Sequence, residues 1–202
     1  MEQSQPVEWV NKKFEGYMVQ TEFSPANARQ VHRLIQDIQA KFGDAVFCMP
    51  EASLHITLLD WVAPLVDYGG QNKTELFERV RPSYDNVLAQ VIAACGPITV
   101  QFDELHVAPT TIYMTGHDRG QFQRIRDEFL DKAELLPGTK LPPKIIHSSL
   151  ARFIRPIDLA PVQEFIAAKS INITQKVTNF RLVHSTREPM LEFEILKRYK
   201  VL

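Results

Sequence analysis

Apolar positions along the first third of the chain change period twice. Tyr17-Met18-Val19-Gln20-Thr21-Glu22-Phe23 has the β-branched and aromatic content of a strand, after a polar stretch over residues 1–12 that reads as an N-terminal tail. Ser24 offers a helix cap and Pro25 a first-turn residue, and Ala28, Val31, Ile35, Ile38 and Phe42 then recur every three to four positions until Gly43. The spacing predicts an amphipathic helix. Leu54 to Val62 is short and apolar-rich, as a half-buried strand requires, with His55 inside it. The same order returns later: strand Thr111 to Thr115, a helix capped at Asp118 with Phe122, Ile125, Phe129 and Ala133 on one face, and strand Ile145 to Ile154 containing His147. Pro25 to His55 spans 30 positions and Arg119 to His147 spans 28, so the pattern predicts a duplicated strand-helix-strand unit about a pseudo-two-fold axis.

Between the repeats lie a loop with Gly69-Gly70, a helical stretch re-initiated at Pro82, and a strand from Ile98 to Val107. A short helix over 161–169 and two strands, 177–185 and 190–199, follow the second repeat. The expected class is α+β: one bilobal domain over 13–202, with mainly antiparallel sheets around a central cleft.

The two central strands share a local pattern. His55-Ile56-Thr57-Leu58 and His147-Ser148-Ser149-Leu150 both read His, any residue, hydroxyl, apolar. Successive side chains on a strand alternate faces, so each histidine and its hydroxyl partner point the same way, about 7 Å apart along the chain. Duplication would place two imidazoles and two hydroxyls on one cleft. Opening a phosphodiester needs that set: a base for the attacking oxygen, an acid for the leaving oxygen, and hydrogen-bond donors on the non-bridging oxygens. Imidazole serves both proton roles because its ordinary pKa, about 6.5, lies near working pH. His184-Ser185-Thr186-Arg187 has the hydroxyl but a charged fourth residue beside a turn, and is expected to be structural; His32, His106 and His117 match nothing.

Composition narrows the ligand. Apolar residues make up 45% and charged residues 23%, as in a folded globular chain, and the formal net charge of -1 argues against a long nucleic-acid track. Any nucleic acid should therefore be short RNA, an oligonucleotide or a cyclic nucleotide, bound by a monomer. The two cysteines, Cys48 and Cys95, form neither a disulfide scaffold nor a zinc pattern, no window has the apolar run of a signal peptide or membrane helix, and a cytoplasmic protein is expected. No cluster of metal-ligand type stands in the sequence, so no metal and no other cofactor are expected.

Both tetrapeptides resemble the H-x-[T/S]-apolar signatures of the two-histidine (2H) phosphoesterase superfamily, which includes the bacterial 2′-5′ RNA ligase-like proteins and cyclic nucleotide phosphodiesterases of RNA repair. Pro50-Glu51-Ala52-Ser53-Leu54 is similar to that family's approach to its first motif, and Leu150-Ala151-Arg152 to the tail of its second, while Phe47-Cys48-Met49 stand where a basic residue would precede Pro50. The resemblance runs from about Phe14 to Tyr199. It implies metal-independent action on 2′,3′-cyclic phosphates, 2′-5′ linkages or related esters, with His55, Thr57, His147 and Ser149 as catalytic residues. The alternative from another class is a module that binds RNA ends or nucleotides without turnover.

Three further residues are candidates for substrate contact. Trp61 and Phe153 each lie six positions after a motif histidine and, with ideal alternation, share its face, where they could stack a nucleobase. Arg152 has the opposite parity and reaches the site only if its strand bulges. The loops over 64–71 and 136–143 flank the motifs and are expected either to lie over the cleft or to run as surface linkers.

Overall fold

The computed structural model describes residues 2–201. Ser24 accepts a hydrogen bond from the Asn27 amide at 3.3 Å, and Pro25 occupies the first turn of helix α1 (Pro25–Phe42), which ends at Gly43 with φ +55°. Its buried stripe is Ala28, Val31, Ile35 and Ile38, as the periodicity predicts. Helix α2 (Lys73–Ala93) departs from expectation because it runs unbroken through Pro82 from an Asn72 cap. The bond that proline forfeits is outweighed by a continuous buried face, Leu76, Phe77, Val80, Tyr84, Leu88, Val91 and Ile92, which leaves no place to stop. Helix α3 (Gln121–Lys132) begins three residues after Asp118, whose carboxylate still takes the Gly120 and Phe122 amides at 2.8 Å each. Helix α4 (Leu159–Ala167) completes the set.

Among the described residues, nine strands form two antiparallel sheets. In the first the order is β3 (His55–Val62), β1 (Lys13–Glu22), β8 (Asn179–Arg187), β9 (Glu192–Lys200). The second runs β2 (Val46–Cys48), β6 (Ile146–Phe153), β5 (Thr111–His117), β4 (Ile98–Ala108), β7 (Ile173–Val177). The short β2 and the separate β7 are the elements the sequence pattern did not predict. Strand β3 sits beside β1, and β6 beside β5, in equivalent places, so the duplicated unit is present as two curled lobes.

The helices cross between lobes. Helix α1 follows β1 of the first sheet but packs against β2, β6 and β7 of the second; α3 follows β5 of the second and packs with α2 and β3 over the first. Each repeat therefore covers the other repeat's sheet, and one apolar core runs through both, including Ile56, Leu58, Trp61, Ile112, Leu150 and Phe153. The helix-free faces of β3 and β6 are left to form the cleft.

Residues 3–11, expected as a tail, lie outside any regular helix or strand but are tied down. Gln3 bridges Asp158, the Ser4 amide donates to Ile157 O at 2.9 Å, that of Val7 to Phe153 O at 2.8 Å, and that of Asn11 to Glu188 O at 2.7 Å. Among the described residues, no helix is long and apolar enough to cross a membrane.

Candidate active site

Each motif strand carries a β-bulge at the same step. Along β3 the partner of Gln20 is Thr57 and that of Val19 is Leu59, so Leu58 is the extra residue. Along β6 the partner of Tyr113 is Ser149 and that of Ile112 is Ala151, which makes Leu150 the extra one. Before the bulge each histidine and its hydroxyl share the cleft face. After it the alternation inverts. Leu59 and Ala151 turn into the core, and Asp60 and Arg152, both five positions past the histidine, turn outward.

This inversion decides which way the three contact candidates face. Arg152 reaches the cleft because the bulge it required is present. Trp61 and Phe153 do not: both are 0% exposed, and Trp61 packs edge-on to Tyr84 with ring centroids 5.6 Å apart. Neither can stack a nucleobase.

A cavity of about 360 Å³ collects the remaining groups: His55 and Thr57 from β3, His147, Ser149 and Arg152 from β6, and Asp60. Both flanking loops border it, through residues 63–66 on one side and Lys140 and Pro143 on the other. Lys140 pairs with Asp60 at 3.3 Å. Glu188 at the β8–β9 turn and Trp9 of the N-terminal segment also line the cavity, and neither carried a signal in the sequence. Asp60 did carry one, since it stands at the same offset from its motif histidine as Arg152.

The imidazoles are held differently. His55 Nδ1 lies 2.7 Å from the Ser53 carbonyl, which can only accept, so Nδ1 carries the proton and Nε2 is the free nitrogen in the neutral ring. Ser53 is itself fixed by donating Oγ–H to Met190 O at 2.8 Å. His147 packs edge-on to Tyr113, with ring centroids 6.1 Å apart. Burial pushes the pKa of His55 down to about 4, with the positive charges of Arg181 and Arg152 adding to it and the Ser53 carbonyl opposing. Burial likewise lowers His147 to about 4, helped by Arg152, Arg126 and Lys140. Without an anion between them, both rings are neutral at pH 7.

Arg152 donates to Ser149 Oγ at 2.9 Å, which leaves the serine hydroxyl proton free to point at a ligand. Its Nε is buried and has no protein partner, although the guanidinium lies over the Trp9 ring, 5.2 Å from its centroid. Two neutral imidazoles, two hydroxyls and an incompletely bonded guanidinium make a site for a phosphoryl anion, whose charge would draw a proton onto the imidazole pair.

The bulges leave backbone carbonyls to satisfy. On β6, Leu150 O accepts the Met49 amide at 2.9 Å, just beyond β2. On β3 the role falls to Arg126 of α3, 1% exposed, which donates to Leu58 O and Thr57 O at 2.9 Å each and to Ile145 O, just before β6, at 3.2 Å. One guanidinium thus ties both motif strands together.

None of the other four histidines lines the cavity. His184 stacks on Tyr17 with centroids 4.5 Å apart and bonds Glu15 at 3.1 Å and Glu194 at 3.2 Å, the structural role expected of it. His106 bonds Thr115 Oγ1 at 2.7 Å. Among the described residues, no three His, Cys, Asp or Glu side chains are grouped as metal ligands would be.

None of the curated proteins matches this chain in sequence. Several solved structures share its fold. The protein TT0787 of Thermus thermophilus aligns with a TM-score of 0.62 at 14% identity, covering 92% of this chain and 97% of its own. A conserved protein of unknown function from Agrobacterium tumefaciens, ATU0111, aligns at 0.63 and 14% identity over 98% and 94%. Apo LigT of E. coli aligns at 0.61 and 15% identity over 93% and 97%; LigT has also been solved with 3′-AMP, with ATP, with phosphate and with NADP+. The sequence pattern of one family covers residues 24–189, a span that holds both histidine motifs and both bulges. With most of its length inside that match, the chain belongs to the 2′-5′ RNA ligase superfamily.

Proposed function

We propose that this protein is a metal-independent phosphodiesterase that opens a 2′,3′-cyclic phosphate or cuts a short 2′-5′ or 3′-5′ nucleotide linkage. The observation that carries the reading is the duplicated delivery of an imidazole and a hydroxyl by equivalent bulged strands into one cavity. Superfamily membership supports an enzyme acting on phosphodiester bonds. The nucleotide and phosphate complexes of LigT support a nucleotide ligand for a chain of this fold.

Thr57, Ser149 and Arg152 hold the non-bridging oxygens. One histidine of the pair His55 and His147 takes the proton of the attacking water as its oxygen bonds phosphorus. The other gives a proton to the leaving ribose oxygen as the P–O bond breaks, and the pair ends with the same total number of protons. The active form is the singly protonated pair. In a 2′,3′-cyclic phosphate the leaving oxygen stays on the product as the freed ribose hydroxyl.

The expected pH behaviour follows from the burial of both rings. With each imidazole near 4 in the empty site, the singly protonated pair peaks in acid, so kcat/KM should fall as pH rises toward neutrality. A bound phosphate anion favours imidazolium and raises both values, which shifts the kcat bell to higher pH than the kcat/KM bell. Both limbs are macroscopic properties of the coupled pair. A kcat profile flat from about pH 5 to 9, with chemistry rate-limiting, would exclude histidine acid-base catalysis.

The identifying experiment is a panel of nucleoside 2′,3′-cyclic phosphates, 2′-5′ dinucleotides and short RNAs incubated with excess EDTA, with products identified by mass. Turnover is expected to survive chelation. If EDTA abolishes turnover and a divalent ion restores it, metal independence is wrong. Binding of RNA ends with no product from any substrate would make the protein a binding module.

A further inference from the structure

Among the described residues that line the cavity, Trp9 is the one Phe, Tyr or Trp, and it comes from outside the segment that matches the superfamily. Its backbone is pinned on both sides. The Val7 amide donates to Phe153 O at 2.8 Å, at the end of β6, and the Asn11 amide to Glu188 O at 2.7 Å. The next turn closes on the residue itself, with the Lys12 amide on Trp9 O at 3.1 Å. The indole is half-buried and takes no part in either apolar cluster of the protein, so core packing does not explain its place. What touches it is Arg152, whose guanidinium lies over the ring and also donates to Ser149. The aromatic surface is thus fixed next to the groups that would hold the phosphate. Pro64 and Leu65, the latter 48% exposed, add apolar surface to the same cavity.

We propose that Trp9 is the nucleobase platform of this site, so that the N-terminal segment sets selectivity for phosphoesters that carry a base. The inference rests on the phosphodiesterase reading for its kinetic arm but not for its binding arm. Base-on-indole stacking is sequence-tolerant because every base has a π-face, so the platform should take any of the four bases.

Two measurements test it. In the first, Trp9→Ala is compared with the unmodified protein on a nucleoside 2′,3′-cyclic phosphate and on the base-free glycerol 1,2-cyclic phosphate. The ratio of the two kcat/KM values should fall about 10–100-fold, the usual worth of one stacked base, chiefly through KM of the nucleotide, and Trp9→Phe should restore most of it. An unchanged ratio, with both substrates losing equally, would mean that Trp9 only props Arg152, and the proposal would be overturned.

The second measurement is binding. The chain has two tryptophans, and the other, Trp61, is fully buried, so fluorescence quenching by a ligand in the cavity should come from Trp9. Titration with 3′-AMP should quench the unmodified protein and not Trp9→Phe, while ribose 5-phosphate should quench neither. No quenching by saturating 3′-AMP, or equal quenching in the variant, would also overturn the proposal. Quenching by 3′-AMP in a protein that turns over no phosphodiester would leave the base platform standing and remove the phosphodiesterase reading.

Discussion

Replacing either His55 or His147 with alanine is expected to lower kcat by about 10²–10⁴-fold, the range for loss of a general acid or base. The fold should tolerate both changes. The His147 ring makes no hydrogen bond among the described residues, and the one held by His55 Nδ1 ends on the carbonyl of Ser53, whose own hydroxyl is anchored separately at Met190. Because a burial-lowered histidine opposes folding as pH drops from about 6.5 toward 4, where the unfolded chain binds the proton and the folded one does not, each alanine variant should resist acid better than the parent. Combining both substitutions should cost less than the product of the single effects, since one proton relay is broken in either case. Thr57→Ala and Ser149→Ala each remove one donor and should cost less than the histidines. His184→Ala loses its contacts with Glu15, Glu194 and Tyr17, none of which lines the cavity, and should barely change kcat. Steady-state rates paired with urea midpoints check the series, and a His184 variant as slow as the His55 variant would show that the wrong histidines were assigned.

The largest expected loss of stability is at Arg126. Arg126→Met removes the guanidinium donor of three carbonyls, fully buried at Leu58 and partly buried at Thr57 and Ile145. Each unsatisfied buried carbonyl costs about 1–3 kcal/mol, and relief of one buried charge offsets part of the sum, so a net loss of about 2–4 kcal/mol is expected in denaturant unfolding. Arg126→Lys keeps a donor but cannot fork between carbonyls and should recover only part. Rate should suffer as well, because the same guanidinium aligns the hydroxyl of Thr57 with β6. It also helps to hold down the proton affinity of His147, so its removal should move the kcat/KM profile to higher pH. A methionine variant as stable as the parent would mean that the bulge carbonyls are satisfied otherwise.

What could be read from the sequence, and what could not, divides at the bulges. The helices at Ser24-Pro25 and Asp118, the two motif strands and their equivalence all follow from periodicity and capping, because those signals are local. Face assignments hold as far as Thr57 and Ser149. Beyond them the alternation rule assigns Trp61 and Phe153 to the cleft, while the inserted Leu58 and Leu150 send them into the core and bring Arg152 and Asp60 out. Nothing in an apolar leucine announces that it will be the extra residue; only the matching offset of Asp60 and Arg152 from their histidines hinted at it. Arg126 was silent for a related reason: it sits within a helix among Ile125, Phe122 and Phe129, and its partners are carbonyls created by a register shift 68 residues away. Pro82 misled because its local cost is lower than the packing around it.

The crossing of α1 and α3 between lobes, with β1 paired to β8, bears on how the protein is made. Strand β1 leaves the ribosome early, but its long partner begins at Asn179, and the sheet that α1 packs against is not complete until Val177 has emerged. Neither repeat can close its own core first, so folding should be one late, cooperative event dominated by long-range pairing, slow compared with helical proteins of this length. Until then, an unpaired edge of β1 stays open to other chains, and fragments ending before residue 179 should be captured by chaperones or aggregate instead of accumulating as a folded first lobe.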